Sequence, residues 1–415
     1  MNIMRKNILN SHRKSWDYFL VILFVLASGC TLWASTIRPA GAFLLLLAAG
    51  LTNSRIYRKN RGGNNSVYYI YWIAAMCMIN LIAIQSPYKD NSMMGYIVSL
   101  SGAYLIISRF EFHYFVRLLT NVVFYITLFG IPIYILGTLE YIPVMRLNTF
   151  DSQSYSYILW YTIGWPNFFY RYSGIWHEPG ACQIVLNTIL WLNFDKIRRW
   201  QLDKNEKYKI FVILLGVILT ESTGGYLVLM AFIAAVALTS KIKGQYKALI
   251  TICLFVIALT AIVIIFTNPV IQAKLFVSTN ESESKATRLM DIYALWDMTL
   301  DSPMFGQGIG TNEFWEMSKR YGNTTCSSGI FTYLASLGFP WLIVTAYFCY
   351  KNIKRLKLGM ATWFLLASIV MMQMNEKFIE YPITSIFIFR FYSYNNYRRL
   401  WKYQLLQFVS IRRKR

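Results

Sequence analysis

Residues His113–Leu136 read HYFVRLLTNVVFYITLFGIPIYIL, and after Arg117 the run carries no charged side chain. An α-helix needs roughly 20 such residues to cross a hydrocarbon core of about 30 Å. Working outward from this run, apolar stretches of similar character recur along the whole chain. They fall at 16–34, 40–52, 67–85, 94–108, 181–195, 208–221, 223–240, 246–267, 328–349, 359–374 and 379–393. With 56% hydrophobic and 17% aromatic residues, the expected fold is an all-α polytopic membrane protein of about twelve transmembrane helices.

The formal charge of +22 would point to nucleic acid in a soluble protein. Its placement says otherwise. With the amino terminus inside, the clusters Arg5–Lys14, Arg55–Arg61, Arg109 with Arg117, Lys196–Lys209, Lys241–Lys247, Lys351–Lys357 and Arg398–Arg415 all fall in cytoplasmic segments. They hold 30 of the 41 Lys and Arg. Such a bias is the positive-inside signature of a membrane topology, here with both termini cytoplasmic, and it excludes nucleic acid as the partner. The bilayer itself is the partner of these charges. Acidic residues run the opposite way, 14 of 19 lying outside, so an arginine on the outer side is a minority feature. Cys30, Cys77, Cys182, Cys253, Cys326 and Cys349 lack the paired spacing of a zinc site or a disulfide framework. No metal or cofactor is expected, and no small-residue cleavage site follows the basic start.

Two outer loops are long, 137–180 and 268–327, between membrane segments 1–136, 181–267 and 328–393 and before a basic tail at 394–415. Loops of this length in compact proteins are functional or disordered. Their aromatic content favours folded caps carrying short amphipathic helices. In the second, Leu289, Ile292, Leu295, Trp296 and Leu300 recur at helical spacing, which predicts a surface helix over 284–300 with Arg288 and Asp291 on its polar side. The glycines of Gly306-Gln-Gly308-Ile-Gly310-Thr-Asn312 lack the preceding strand and following lysine of a nucleotide loop, and read as a tight turn.

Between Lys209 and Lys241 the chain must cross the bilayer and return. That leaves roughly thirteen residues per leg, about 20 Å of helix, which sets the turn Thr220–Gly225 below the outer surface; the alternative is a plain interfacial turn with both legs lengthened by snorkelling lysines. Glu221, Ser222 and Thr223 then line an enclosed or wet cavity, because polar groups at that depth cannot face lipid.

The loop Arg171-Tyr-Ser-Gly-Ile-Trp-His-Glu-Pro-Gly180 places more charge on the same outer side. Arg171, Glu178, Glu221 and Arg288 thus come from three distant stretches to one face. Two guanidiniums suit a diphosphate, whose oxygens match the planar fork of donors. They would stabilise a diphosphate leaving group as it gains charge. A carboxylate or imidazole nearby would accept the proton of an attacking hydroxyl; Glu178, Glu221, Asp291 and His177 are the candidates. Tyr172, Ser222 and Asn312 join Arg171, Arg288 and Glu221 as substrate-binding candidates. Tyr157, Trp160, Trp165, Phe168 and Phe169 suit stacking on sugars or packing against headgroups.

Three segments, the loop from Arg171 to Pro179, the turn Thr220–Gly225 and the stretch from Arg288 through Trp296 to Gly310, resemble the bacterial O-antigen ligase and polymerase family in sequence and order. The polymerase branch is the closer, because Asn323–Ser327 has no histidine where ligases typically carry theirs. The resemblance covers roughly residues 165–390. It implies an inner-membrane enzyme, periplasmic in its active site, that joins repeat units carried on undecaprenyl diphosphate. Donor and acceptor are then both lipid-linked oligosaccharides, with a chain-length regulator and a flippase as candidate neighbours. It assigns function to Arg171 and Arg288. Gly224 and Gly225 depart from the arginine many members carry after the serine. The alternatives are a ligase that moves glycan onto lipid A core and, from a different class, a flippase for the same lipid-linked sugar.

Overall fold

The fold is that of a computed structural model, which describes residues 15–32, 38–52, 66–84, 92–148, 154–164, 171–240, 280–321 and 328–391. The expected span 246–267, the 323–327 segment, the aromatics Trp165, Phe168 and Phe169 and four basic clusters, at 5–14, 55–61, 241–247 and 398–415, lie outside these residues. So does the side chain of Arg288, although its backbone is described.

The described chain is mostly helical. In order come α1 (Ser15–Leu26), α2 (Arg38–Thr52), α3 (Val67–Ile84), α4 (Ser92–Ile107) and α5 (Phe112–Thr138). Strands β1 (Met145–Asn148), β2 (Ser154–Ile158) and β3 (Tyr161–Gly164) follow, then α6 (Pro179–Leu192), α7 (Phe194–Arg198), α8 (Lys204–Leu219) and α9 (Thr223–Thr239). The last are α10 (Asn280–Asp301), α11 (Asn312–Arg320), α12 (Gly329–Lys354), α13 (Ala361–Asn375) and a 3-10 helix at Pro382–Phe387. Of the described helices, α5 and α12 are long and apolar enough to cross a membrane alone. Shorter apolar helices pack around them, so the count of twelve spans is not reached among the described residues.

Three expectations need correction. The first outer loop, expected to carry short amphipathic helices, holds instead a three-stranded antiparallel sheet, with Arg146 opposite Ser156 and Ile158 opposite Tyr161, on a chain whose all-α character otherwise fits. β-branched and aromatic side chains on either side of a two-residue turn favour that pairing over a helix.

The second correction concerns 379–393, expected to be a transmembrane helix. Apart from the six-residue 3-10 turn its described part, 379–391, is irregular, and its surroundings reach both ends of α6. At one end the Glu376 carboxylate lies against Gly180, in the first turn of α6; at the other, Phe389 and Arg390 line a cavity with Trp191 and Leu192 at the last turn. Backbone of this kind is tolerated at membrane depth only where protein encloses it and serves its polar groups. Phe378, Ile379, Ile383, Phe387 and Phe389 are all buried. Ser28 Oγ accepts from the Ile383 amide at 3.1 Å and Ser66 Oγ from the Arg390 amide at 3.1 Å. Ser99 Oγ donates to the Glu380 carbonyl at 2.5 Å, and Asn352 Nδ2 donates to that of Ile388.

The third is the phase of α10. Its buried face is Asp291, Ala294, Leu295, Met298 and Thr299, while Met290, Tyr293, Trp296 and Leu300 are exposed. Asp291 was expected on the polar side and is instead fully buried. Leu295 and Met298 form a satellite core with Phe314, Met317 and Ala335, which turns Asp291, one helical turn earlier, inward with them.

The glycine loop between α10 and α11 docks on a break in α12. Pro340 has no N–H, which orphans the Ser336 carbonyl, and Gly338 leaves helical geometry at φ +73. The Gly308 amide donates to Ser336 O at 2.9 Å and the Gln307 amide to Ala335 O at 2.8 Å, while the Phe339 amide turns to Pro303 O at 2.8 Å. Gly306, Gly308 and Gly310 all have positive φ. This is more than a returning turn: loop and broken helix satisfy each other's backbone.

Candidate functional site

Basic and acidic residues separate along the bundle. At one end Arg109 pairs with Asp17 at 2.9 Å, Lys196 with Glu206 at 2.5 Å, and Arg198 with Asp195 at 2.5 Å; Arg198 also reaches the Leu358 carbonyl. These are members of the clusters expected on one side. Arg171, Glu178, Glu221, Glu376 and Glu380 gather at the other end.

The Arg171 loop is pinned on three sides. The Tyr172 amide donates to Leu219 O at 3.1 Å, the Thr162 amide of β3 to Gly174 O at 2.8 Å, and the Thr31 amide to Ile175 O at 2.9 Å. Gly174 adopts φ +59, and Trp176 is wholly buried. Tyr172 is 1% exposed, its ring edge-on to Tyr134 at 5.8 Å, so it positions Arg171 rather than meeting a ligand. Arg171 itself is half-buried.

Across from it, the α8–α9 turn presents Glu221. The helices are longer than expected, because α8 begins at Lys204 with an Asp203–Glu206 capping box. Sixteen residues make about 24 Å, still short of a hydrocarbon core. Thr220 is fully buried and Glu221, Ser222 and Thr223 are half-buried, and Asn187 Nδ2 donates to the Gly225 carbonyl at 3.3 Å. A Cβ added at Gly225 would come within 2.9 Å of Gln183 Cβ, so glycine there lets the turn pack closely on α6. Ser222 is committed to capping α9, accepting from the Gly225 amide at 3.3 Å. Glu221 holds φ +46, a conformation that L-residues avoid.

The Arg171 and Glu221 charges both act on the Tyr134 and Tyr226 hydroxyls. A guanidinium, a carboxylate and two phenols from the Arg171 loop, the hairpin, α5 and α9 therefore lie near one another. Tyr226 also donates to the Ile218 carbonyl at 2.7 Å, which ties α9 to the end of α8.

A second group surrounds the first turn of α6. His177 Nε2 bonds Glu178 Oε1 at 3.1 Å, and the ring lies over Phe378 at 6.3 Å. Burial pulls the His177 pKa down, but the Glu178 hydrogen bond and charge, the Gly29 carbonyl and the Glu380 charge outweigh it and leave it raised above its ordinary value. Glu178 is the N-cap residue of α6 by backbone, with no side-chain cap bond. The Glu376 carboxylate occupies that place against Gly180, where the positive end of the helix favours it. Tyr333 donates to Glu380 at 3.0 Å. Glu376 and Glu380 were counted among outer acids but not recognised as site residues. They are detectable by the rule that drew attention to Arg171, an ionisable group at a membrane boundary.

The remaining candidates lie on α10 and α11. Asn312 is the first residue of α11, half-buried behind the Thr311 cap, whose hydroxyl accepts from the Phe314 amide at 3.1 Å. Asp291 and Arg288 are one turn apart on α10, which packs against α12. Among the described residues, no three His, Cys, Asp or Glu side chains are grouped as a metal site.

A family model described as O-antigen ligase matches residues 210–346. The match takes in Glu221, Ser222, Arg288, Asp291 and Asn312, and leaves out Arg171, Tyr172, His177 and Glu178. No curated protein matches the chain, and no solved structure does.

Proposed function

We propose that this chain, whose match at residues 210–346 supports its place in the O-antigen ligase/polymerase family, polymerises lipid-linked oligosaccharide repeat units at the end of the bundle that carries Arg171. The observation behind this reading is the convergence of Arg171 and Glu221 on Tyr134 and Tyr226. A guanidinium held on a short, pinned loop suits the diphosphate of an undecaprenyl-linked donor, with Arg288 supplying the second. The acceptor sugar hydroxyl attacks the donor's anomeric carbon. Its proton passes to a carboxylate or to the His177–Glu178 pair, a new glycosidic bond forms, and the bond to the diphosphate breaks. Undecaprenyl diphosphate leaves with its added charge matched by the two guanidiniums.

On this reading the Arg171 end is periplasmic and the basic end cytoplasmic in a bacterial inner membrane, and the positive-inside bias supports that orientation. A chain-length regulator and a flippase are its natural neighbours. The matching family's description favours one second reading, transfer of finished glycan onto lipid A core.

Mass analysis of lipid-linked glycans in a deletion strain separates them. Accumulated single repeat units support the polymerase, accumulated polymer supports the ligase, and precursor trapped on the inner leaflet supports a flippase. Complementation with Arg171→Ala should reproduce the deletion; full-length polymer from that variant would remove Arg171 from the mechanism.

A further inference from the structure

At the opposite end of α6 from Glu178 lies a cavity of about 730 Å³. It opens between the start of α5, the end of α6, the end of α12 and the irregular segment, so the glycan chemistry proposed above does not reach it. Its walls are apolar, with Phe112, Leu356, Phe387 and Phe391 among them, and two guanidiniums, Arg355 and Arg390, line it together. Its two acids are engaged elsewhere. Asp195 accepts from Arg198 at 2.5 Å and Arg199 at 3.0 Å, and Glu111 accepts from the His113 and Tyr114 amides that begin α5.

Arg355 and Arg390 bring two guanidiniums to one recess, where together they can grip the oxygens of a phosphate. Burial first, and the Arg390 charge second, push the Arg355 pKa down from its ordinary value, in keeping with two guanidiniums near each other at this cavity. Asn352, which also lines the recess, accepts from Arg355 Nη1 at 2.9 Å and holds the guanidinium on the cavity side. Apolar walls beside paired guanidiniums match an amphiphile, not a free ion, because a phosphate alone would leave the aromatic surface wet.

We propose that this cavity binds an anionic phospholipid of the adjoining leaflet, its phosphate held by Arg355 and Arg390 and the upper part of its acyl chains against Phe112 and Phe391. The site adds to, and differs from, the diffuse attraction of a basic surface for acidic lipids.

The full chain, purified in detergent and incubated with phosphatidylglycerol or phosphatidylcholine, is to be examined by native mass spectrometry. Phosphatidylglycerol should stay bound after a detergent wash that strips phosphatidylcholine. Arg355→Gln, an exposed position at a helix end, should reduce retention about fivefold. Lys204→Gln/Lys207→Gln removes two exposed charges from the same end outside the cavity and should leave retention within about twofold. Equal losses in both variants, or retention unchanged by Arg355→Gln, would overturn the site. Thermal stabilisation by inorganic phosphate with no lipid retained would overturn the lipid assignment.

Discussion

The amide of Gly308 donates at 2.9 Å to the carbonyl of Ser336, which Pro340 leaves without a helical partner. Asn80 Nδ2 serves the same oxygen at 3.1 Å. The glycine stretch so prominent in the sequence therefore completes a broken helix.

Gly306→Ala tests this docking. At φ +68 an added Cβ is strained, and it would meet the Ser336–Leu337 backbone directly. Gly359 has a similar φ of +65 with open space around it, so Gly359→Ala carries the conformational penalty alone, about 1–2 kcal/mol. Thermal unfolding in detergent should show a clearly larger loss for Gly306→Ala; equal losses would mean the loop is not clamped.

Glu221 offers a separation of stability from activity. Its left-handed backbone is strained for a side chain, so Glu221→Gly should raise the melting temperature relative to Glu221→Ala by about 1 kcal/mol equivalent. Both should lose glycan polymer if the carboxylate serves the reaction. Polymer of normal length from Glu221→Gly would reduce Glu221 to a turn residue.

For Arg171 the shape of the side chain should matter as well as its charge. Arg171→Lys keeps the charge but loses the fork of donors, and we expect polymer formation to fall about 10²-fold, close to the loss in Arg171→Ala. Turnover of purified enzyme near the wild-type rate in the lysine variant would leave only a charge requirement.

His177 should titrate above an ordinary histidine, because Glu178 and Glu380 hold its proton. A raised folded pKa means that its contribution to stability is complete below the unfolded value of about 6.5 and is lost as pH rises through the folded value. With only three histidines in the chain, isotope-labelled imidazole signals can be followed individually. Glu178→Gln should lower the His177 midpoint and flatten this pH dependence; an unchanged midpoint would show the pair to be uncoupled.

Much of this architecture is legible in the apolar runs, since a helix in lipid satisfies its own backbone and needs only composition to announce itself. Sites that depend on several elements are not written so locally. The run after Glu376 has the composition of a span, and its departure from helix is set by Ser28, Ser66, Ser99 and Asn352, residues far away in sequence. The phase of α10 is hidden for a related reason: Trp296 does reach Phe331 and Phe339 of α12, but Leu300 is exposed and the buried face carries Asp291. Arg171 and Glu221 were found because charge at a membrane rim is rare. Tyr134 and Tyr226, which stand beside them, are ordinary tyrosines in a chain with 30.

The irregular chain beside α6 also bears on biogenesis. Released into lipid alone, it would expose amides and carbonyls to hydrocarbon at several kcal/mol each, so it has no stable state as an independent span. It is satisfied only once the elements bearing Ser28, Ser66, Ser99 and Asn352 are in place, which ties completion of the acidic group at the head of α6 to their assembly.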